Sequence, residues 1–296
     1  MNLTDSFLDY LRYERNYSQE TVKAYREDLM QFEAYCAKET KEESYSLAEV
    51  GAQTVRGWIL SLMDENVAVA TVNRKLSTLR SFYRFLMKRG VCQNNPMLKI
   101  VGPKKKKRLP VFVKEKEMDR LLDDVDFGEG FEACRDRAIV EVFYLTGIRL
   151  SELIGLKDED VDFSSSLIKV TGKRNKQRLI PFGEELKKDL QVYVKMRDEY
   201  VKPDVKAFFV RKTGEQLYRS IVESIVTRSL SKVVTLKKKS PHVLRHTFAT
   251  MMLNHDAQLT AIKELLGHES LTTTEVYTHT TFEELKRMYN QAHPRA

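Results

Sequence analysis

Between Asn94 and Pro110 the helical rhythm of this chain stops, and that break decides what the chain can fold into. Asn94-Asn95-Pro96 closes the helical text before it. Gly102-Pro103, an unbroken basic run from Lys104 to Arg108, and Pro110 follow without apolar periodicity. Such text neither continues a helix nor builds a strand, so it reads as a linker. We place the domain boundary there, with residues 1–100 as one domain, 101–110 as a basic linker and 111–296 as a second domain. A chain of 296 residues has the length for two ordinary domains, each with its own core.

Ahead of the linker the pattern is helical throughout. Ser18 can cap a helix in which Val22, Tyr25, Leu29 and Phe32 recur at helical spacing. Thr54 precedes a second helix carrying Val55, Trp58, Ile59 and Leu62. Thr71 begins a third, with Val72, Leu76, Leu79, Phe82, Tyr83 and Leu86, stopped by Gly90. The other face of that third helix carries Arg74, Lys75, Arg80, Arg84 and Lys88. Solvation alone accounts for such a face on an isolated helix, whereas in a basic chain it also suits phosphate or major-groove contact.

After the linker, Lys116 to Val125 and Cys134 to Tyr144 have helical spacing. Leu167 to Val170 and Arg178 to Phe182 are short β-favouring runs separated by residues 171–177, with Gly172 and Asn175 in the connection, which reads as a hairpin. Helices resume from Glu184. The expected fold class is mainly α, with a small β-sheet or hairpin in the C-terminal domain.

Composition narrows the function classes. Hydrophobic residues make up 42% and charged residues 31%, the balance of a soluble globular protein. No apolar run approaches the roughly 20 residues of a membrane helix, and the N-terminus lacks the basic-then-apolar layout of a secretion signal. Cys36, Cys92 and Cys134 are scattered without paired spacing, which suits reduced thiols in the cytoplasm. A net charge of +8 favours a polyanion partner, and the runs Lys104–Arg108 and Lys237–Lys239 concentrate that charge.

The chemistry is concentrated between Ser240 and His279, where His242, Arg245, His246, His268 and Tyr277 lie along helical text. Breaking a phosphodiester without a metal takes an in-line nucleophile, cationic donors for the non-bridging oxygens and an acid for the departing oxygen. Arginine forks suit those oxygens because they donate paired hydrogen bonds and stay charged. Arg245 and Arg149, the latter in Thr146-Gly147-Ile148-Arg149-Leu150-Ser151-Glu152-Leu153, are the candidate pair. Tyr277 is one of 13 tyrosines, and the neighbouring motif distinguishes it from a core aromatic. A phenol titrates near 10, so it needs help to attack at neutral pH; His242 can accept its proton or hold it by a hydrogen bond. The apolar face Leu259, Ile262, Leu265 and Leu266 ends at Gly267, which presents His268 just past a helix end.

Metal chemistry is the main rival. His242 and His246 stand four apart and share a helix face, yet no glutamate adjoins His242 and no cysteine lies nearby. Asp158, Asp160 and Asp162 imitate a calcium loop, but Phe163 stands where that loop needs glycine and Lys169 where it needs glutamate. Neither pattern calls for a metal, and none calls for a cofactor.

Taken together, these motifs resemble the tyrosine recombinase (phage-integrase) family, and within it the Xer group. Phe7-Leu8-Asp9-Tyr10-Leu11 and Ser18 through Tyr25 are similar to the family's helical, SAM-like core-binding domain. The segments Ser240 to Thr250, Leu265-Leu266-Gly267-His268 and Tyr277-Thr278-His279 are similar to its catalytic boxes, and the likeness covers essentially the whole length. The resemblance implies a two-domain DNA clamp. It makes Tyr277 the nucleophile that forms a 3′-phosphotyrosyl link, and Arg149 and Arg245 the phosphate-binding arginines. It makes Lys173 the acid for the leaving oxygen, His242 the base or proton partner, His268 a phosphate donor and Glu152 a supporting residue. The family departs from this chain at two places. Asp256 stands where glycine is frequent, so a positive φ is expected there. Arg174 follows Lys173 where a small residue is common, so Arg174 competes with Lys173 for phosphate.

The resemblance further implies a homo- or hetero-tetramer on double-stranded DNA, with a XerD-like partner. Its C-terminal tail, amphipathic from Phe282 to Tyr289, would pack into a neighbouring subunit. Beyond the catalytic set, the expected DNA contacts are Arg74, Lys75, Arg80, Arg84, Lys104, Lys105, Lys106, Lys107, Arg108 and Arg174. The implied role is resolution of chromosome or plasmid dimers during segregation, under a cell-division DNA translocase, in a cytoplasmic, nucleoid-associated protein. The alternatives are an integrase or transposase of a mobile element with the same chemistry, a type IB topoisomerase, and a DNA-binding accessory protein without turnover.

Overall fold

The computed structural model describes residues 2–40, 46–104, 111–172, 176–201, 206–267 and 282–295. Of the residues singled out above, Lys105, Lys106, Lys107, Arg108, Lys173, Arg174, His268 and Tyr277 lie outside the described residues. The chain divides into two units, Met1–Arg108 and Leu109–Ala296. No helix among the described residues is long and apolar enough to cross a membrane.

In the first unit, α1 (Leu3–Asp9) runs on through a π-helical turn, Tyr10–Glu14, and is followed by α2 (Gln19–Thr40), α3 (Ala52–Asp64) and α4 (Val69–Lys88). Ser18 Oγ accepts the Thr21 N–H at 3.3 Å, satisfying one of the orphan donors at the start of α2. The helices α3 and α4 each begin two residues before the threonines that mark them in the sequence, with Gly51 and Ala68 as their caps. Gly90 takes φ +71° just past the end of α4. The apolar stripes meet in one core, where Phe7, Val22, Leu29, Phe32, Trp58, Val72, Leu76, Leu79, Phe82 and Tyr83 are buried.

The basic face of α4 is narrower than its sequence suggests. Lys75 is buried, and its ammonium donates to the Asp28 carboxylate at 3.0 Å and to Gln31. Arg74 forks onto the same carboxylate, and the Thr78 hydroxyl donates to it at 2.8 Å. A carboxylate as buried as Asp28 is tolerable only when cations and donors surround it. Lys75 is therefore committed to the interior, which corrects its placement among the DNA-contacting residues. Arg84 and Lys104 are exposed, and Arg80 is half-buried with a hydrogen bond to the Ile100 carbonyl.

The second unit opens with α5 (Glu115–Asp119), continued by a π-helical turn, Arg120–Asp124. It then runs through α6 (Phe131–Thr146), α7 (Leu150–Ile154), the strands β1 (Val161–Asp162), β2 (Leu167–Thr171) and β3 (Gln177–Pro181), and α8 (Glu184–Tyr200). The helices α9 (Arg219–Ser231), α10 (Pro241–Asn254), α11 (Leu259–Leu266) and α12 (Phe282–Ala292) complete it. In α6, Ala138, Ile139, Val140, Val142, Phe143, Tyr144 and Leu145 are all buried. A helix apolar all round must be covered all round, and α8, α9 and α10 cover it.

The strands form an antiparallel sheet in the order β1-β2-β3. β2 and β3 pair from Leu167↔Pro181 to Thr171↔Gln177, which is the expected hairpin, and the Gly172 N–H closes it onto the Lys176 carbonyl at 2.8 Å. β1 is an addition that periodicity does not reveal. It is two residues long and lies in acidic text, where Asp162 holds the following turn by accepting from the Ser164 and Ser165 N–H groups.

The tail helix α12 is seated on its own chain. Tyr289 and Ala292 are buried in a cluster with Phe248, Met252, Ile262, Leu265 and Leu266. His293 follows with its ring among Tyr144, Phe248 and Tyr289, at centroid distances of 5.5, 5.8 and 5.5 Å. Burial pushes that imidazole down to about 3, so the ring docks neutral. Arg295 then pairs with Asp119, Asp123 and Glu185. The amphipathic pattern thus identifies a face that needs covering, which this chain covers itself.

Candidate active site

The site is assembled where the end of α6, the start of α7, the middle of α10 and the end of α11 converge on the hairpin. Gly147 makes the convergence possible. It caps α6 at φ +59°, and a Cβ there would stand 2.6 Å from Phe248 Cδ1 and 2.8 Å from Leu266 Cδ2. Glycine is needed both for the left-handed backbone and for the closeness of α10 and α11. Ile148 is buried next, and Arg149 becomes the N-cap of α7.

Glu152, in the first turn of α7, is the hub. It accepts the Arg149 backbone N–H at 2.9 Å and Arg149 Nη1 at 2.7 Å. It also accepts a fork from Arg178 on β3, at 2.7 and 2.9 Å. Burial by itself would raise the Glu152 carboxyl. The hydrogen bonds from Arg178 and Arg149, with the Arg178 charge, outweigh burial and lower it to about 2.

Three arginines close the C-terminal end of α11. The last carbonyls of a helix have no backbone partner within it and sit at the negative end of its dipole, so cations are favoured there. Arg178 Nε donates to the Leu265 carbonyl at 2.7 Å, Arg245 Nη2 to Leu266 at 2.5 Å and Arg149 Nη2 to Gly267 at 2.6 Å. Arg245 Nη1 also donates to the Gly147 carbonyl at 2.5 Å. Burial, then the neighbouring Arg149 and Arg178 charges, push Arg245 down to about 10, with Glu152 acting the other way. It stays charged at neutral pH. Three guanidiniums gathered around one carboxylate leave an excess of two positive charges, which suits an anion.

His242 is exposed near the start of α10, one turn before Arg245. Partial desolvation, then Lys238, Arg245 and Arg219, lower its imidazole below the usual value. The ring is neutral at pH 7 and able to accept a proton. His246 shares its helix face, half-buried. Among the described residues, no three His, Cys, Asp or Glu side chains come together as a metal site.

The structure therefore brings Arg149, Glu152 and Arg245 into one network, with His242 on the next turn of α10. Lys173 and His268 lie outside the described residues, but their neighbours do not. A Cβ on Gly172 would be 3.4 Å from Glu152 Oε1 and 3.8 Å from Arg149 Nη1, and Gly267 accepts from Arg149. Asp256 has φ +59°, as its position in the sequence predicts. Arg178 is the member that sequence reading missed. Its signal is strand register, since Arg178 shares the inward face with buried Ile180 while Leu179 points outward.

Comparison with known proteins gives a consistent picture. The profile described as "Phage integrase family" matches residues 111–284, and "Phage integrase, N-terminal SAM-like domain" matches residues 4–90. The chain is 38% identical over 314 residues to the tyrosine recombinase XerC of Chlorobaculum tepidum, covering 98% of this chain and 94% of that protein. It is also 38% identical over 300 residues to the tyrosine recombinase XerC of Pelotomaculum thermopropionicum, covering 99% and 98%. Its fold is similar to a crystal structure of the XerH site-specific recombinase bound to palindromic difH substrate, a post-cleavage complex. The TM-score is 0.72 at 20% identity, covering 97% of this chain and 80% of that one.

Proposed function

The chain belongs to the phage integrase family, and from that premise we propose how its residues act and what process they serve. It is a site-specific tyrosine recombinase, which cuts and rejoins DNA. In our reading it binds duplex DNA and places one phosphodiester over Arg149 and Arg245. Tyr277 Oη attacks phosphorus in line, its proton passing to His242. The bond to the 5′ oxygen breaks, leaving a 3′-phosphotyrosyl link, and Lys173 protonates the departing oxygen to give a 5′-hydroxyl. His268 donates to a non-bridging oxygen, and Glu152 keeps Arg149 in place. Rejoining runs the same steps in reverse with a 5′-hydroxyl from the partner strand.

One observation carries this reading. Two arginines from different helices, Arg149 and Arg245, are held on adjacent carbonyls at the end of α11, beside the residues that precede Lys173 and His268. That arrangement offers paired donors to a single anion without any ion as intermediary. The test is a nicked target-site duplex, on which the wild-type protein should accumulate a covalent protein–DNA adduct that Tyr277→Phe abolishes. A Tyr277→Phe protein that still forms the adduct would overturn the assignment.

The biological role we propose is the resolution of chromosome or plasmid dimers. It would act as a tetramer with a XerD-like partner under a cell-division DNA translocase, at the nucleoid in the cytoplasm. The similarity to relatives named XerC over nearly the whole length supports it. In the tetramer the tail helix α12 would leave its own chain for a neighbour. A strain lacking the protein should filament with unsegregated chromosomes; normal segregation would favour a mobile-element integrase of the same chemistry.

A further inference from the structure

We infer that Arg178 is a positioning residue for DNA cleavage, taking up the Glu152 carboxylate so that Arg149 keeps its charge for the phosphate, and pinning the end of α11. The inference rests on the recombinase reading above and deepens it.

All three guanidinium nitrogens of Arg178 are committed inside the protein. Two form the fork on Glu152, and Nε holds the Leu265 carbonyl. Its side chain is 14% exposed, against 27% for Arg149. Arg245 is also buried, so what sets Arg178 apart is that Nε and both Nη atoms are bonded to Glu152 and Leu265. Arg178 is thus the fixed cation of the group.

The charge arrangement gives that fixed cation a purpose. Glu152 accepts from Arg149 through both a side-chain and a backbone donor. With Arg149 as its sole cationic partner, the carboxylate would form a closed one-to-one pair. A phosphate arriving at Arg149 would then meet a neutralised guanidinium with a carboxylate beside it. Because Arg178 binds both Glu152 oxygens, the carboxylate still orients Arg149 but no longer cancels it.

A second consequence is mechanical. Leu265, Leu266 and Gly267 give their carbonyls to Arg178, Arg245 and Arg149 in turn, so each arginine fixes one residue of the turn that leads to His268. The Arg178 stem also lies under Gly267, where an added Cβ would be 3.2 Å from Arg178 Cδ. Losing Arg178 frees the first of these carbonyls and empties the space beneath Gly267. Arg178 also joins β3 to α7 and α11, and so ties the hairpin that carries Lys173 to the arginine pair.

The test is single-turnover cleavage of a nicked duplex bearing the site recovered by sequencing DNA retained by the Tyr277→Phe protein. Wild type, Arg178→Gln, Arg178→Lys, Glu152→Gln and the Arg178→Gln/Glu152→Gln double variant are compared, with affinity by gel shift and folding by thermal melting. Arg178→Gln should slow cleavage by about 30- to 100-fold at saturating protein, the range for a misplaced catalytic group, while affinity changes by less than about threefold. Removing the uncompensated carboxylate should relieve the defect, so the double variant should cleave at least about tenfold faster than Arg178→Gln. Arg178→Lys, which keeps the charge but not the fork, should fall between wild type and Arg178→Gln. If Arg178→Gln does not fold, Arg178→Lys with and without Glu152→Gln is read in the same way. The inference is overturned by cleavage within threefold of wild type, by a loss that Glu152→Gln does not relieve, or by a loss that follows affinity alone. A wild-type protein that forms no adduct would sink the recombinase reading instead, and so separates the two failures.

Discussion

Removing the charge of Glu152 should make the protein less sensitive to acid, and the size of that effect follows from the site. The folded carboxyl titrates at about 2 against an ordinary value of 4.5, held down by Arg178 and Arg149 against the opposing effect of burial. A group whose value is depressed by folding adds stability above its unfolded value and loses it as pH falls through the folded one. The relevant window is therefore between about pH 4.5 and pH 2. The full shift corresponds to about 3 kcal/mol. Solvent reaches the partially exposed Arg149, and screening there reduces the usable part to about 2 kcal/mol. That is a sizeable share of the roughly 5–15 kcal/mol that keeps a domain folded. Glu152→Gln should be less stable than wild type at pH 7, with the difference shrinking by about 1 kcal/mol at pH 3, or about 2–4 °C in Tm for a unit of this size. Melting of both proteins across pH 7 to 3 measures the difference directly, because the other carboxylates titrate alike in the two and cancel. A gap that stays constant with pH would show that Glu152 is not held ionised by the arginines.

Two further substitutions test the frame of the molecule. Gly147→Ala forces a methyl between Phe248 and Leu266 at a left-handed residue, which should cost about 2–5 kcal/mol in overpacking and backbone strain together. A melting shift below about 2 °C would refute that packing argument. In the first unit, Lys75→Ala should lower stability by leaving Asp28 short of a partner, with little change in the salt dependence of DNA binding. Arg84→Ala should do the reverse, reducing the log–log salt slope by about one if it meets a phosphate; an unchanged slope would remove Arg84 from the interface.

What the sequence disclosed depended on whether the signal was local. The helices α2, α3, α4, α6 and α11 follow from apolar spacing, and the β2–β3 hairpin from two β-favouring runs around Gly172. Arg149 and Arg245 stand out because they sit in recognisable motifs. Arg178 does not, since it looks like one more surface cation until its register beside Ile180 is known. The error at Lys75 has a similar origin. Lys75 lies three residues after Val72 and four before Leu79, on the apolar stripe itself, where a cation needs a buried anion. That anion, Asp28, is on another helix and far away in sequence. β1 escaped because two residues carry no periodicity. The tail helix shows a different limit, since an amphipathic pattern states that a face is covered but not by which chain.

The site also shows how several cations can be gathered in one place. Three guanidiniums held together repel one another, and that repulsion adds to burial, the larger cause, in depressing Arg245. One carboxylate compensates a single unit of it, and the carbonyl end of α11 supplies partial negative charge to all three. Neither removes the remaining excess. In the proposed mechanism an entering phosphodiester would bring one negative charge to this place, and the pentacoordinate transition state a second. In that mechanism this excess of positive charge matches the transition state better than the bound substrate, and the difference would lower the barrier. On the inference drawn above, Glu152 orients Arg149 while Arg178 offsets its charge.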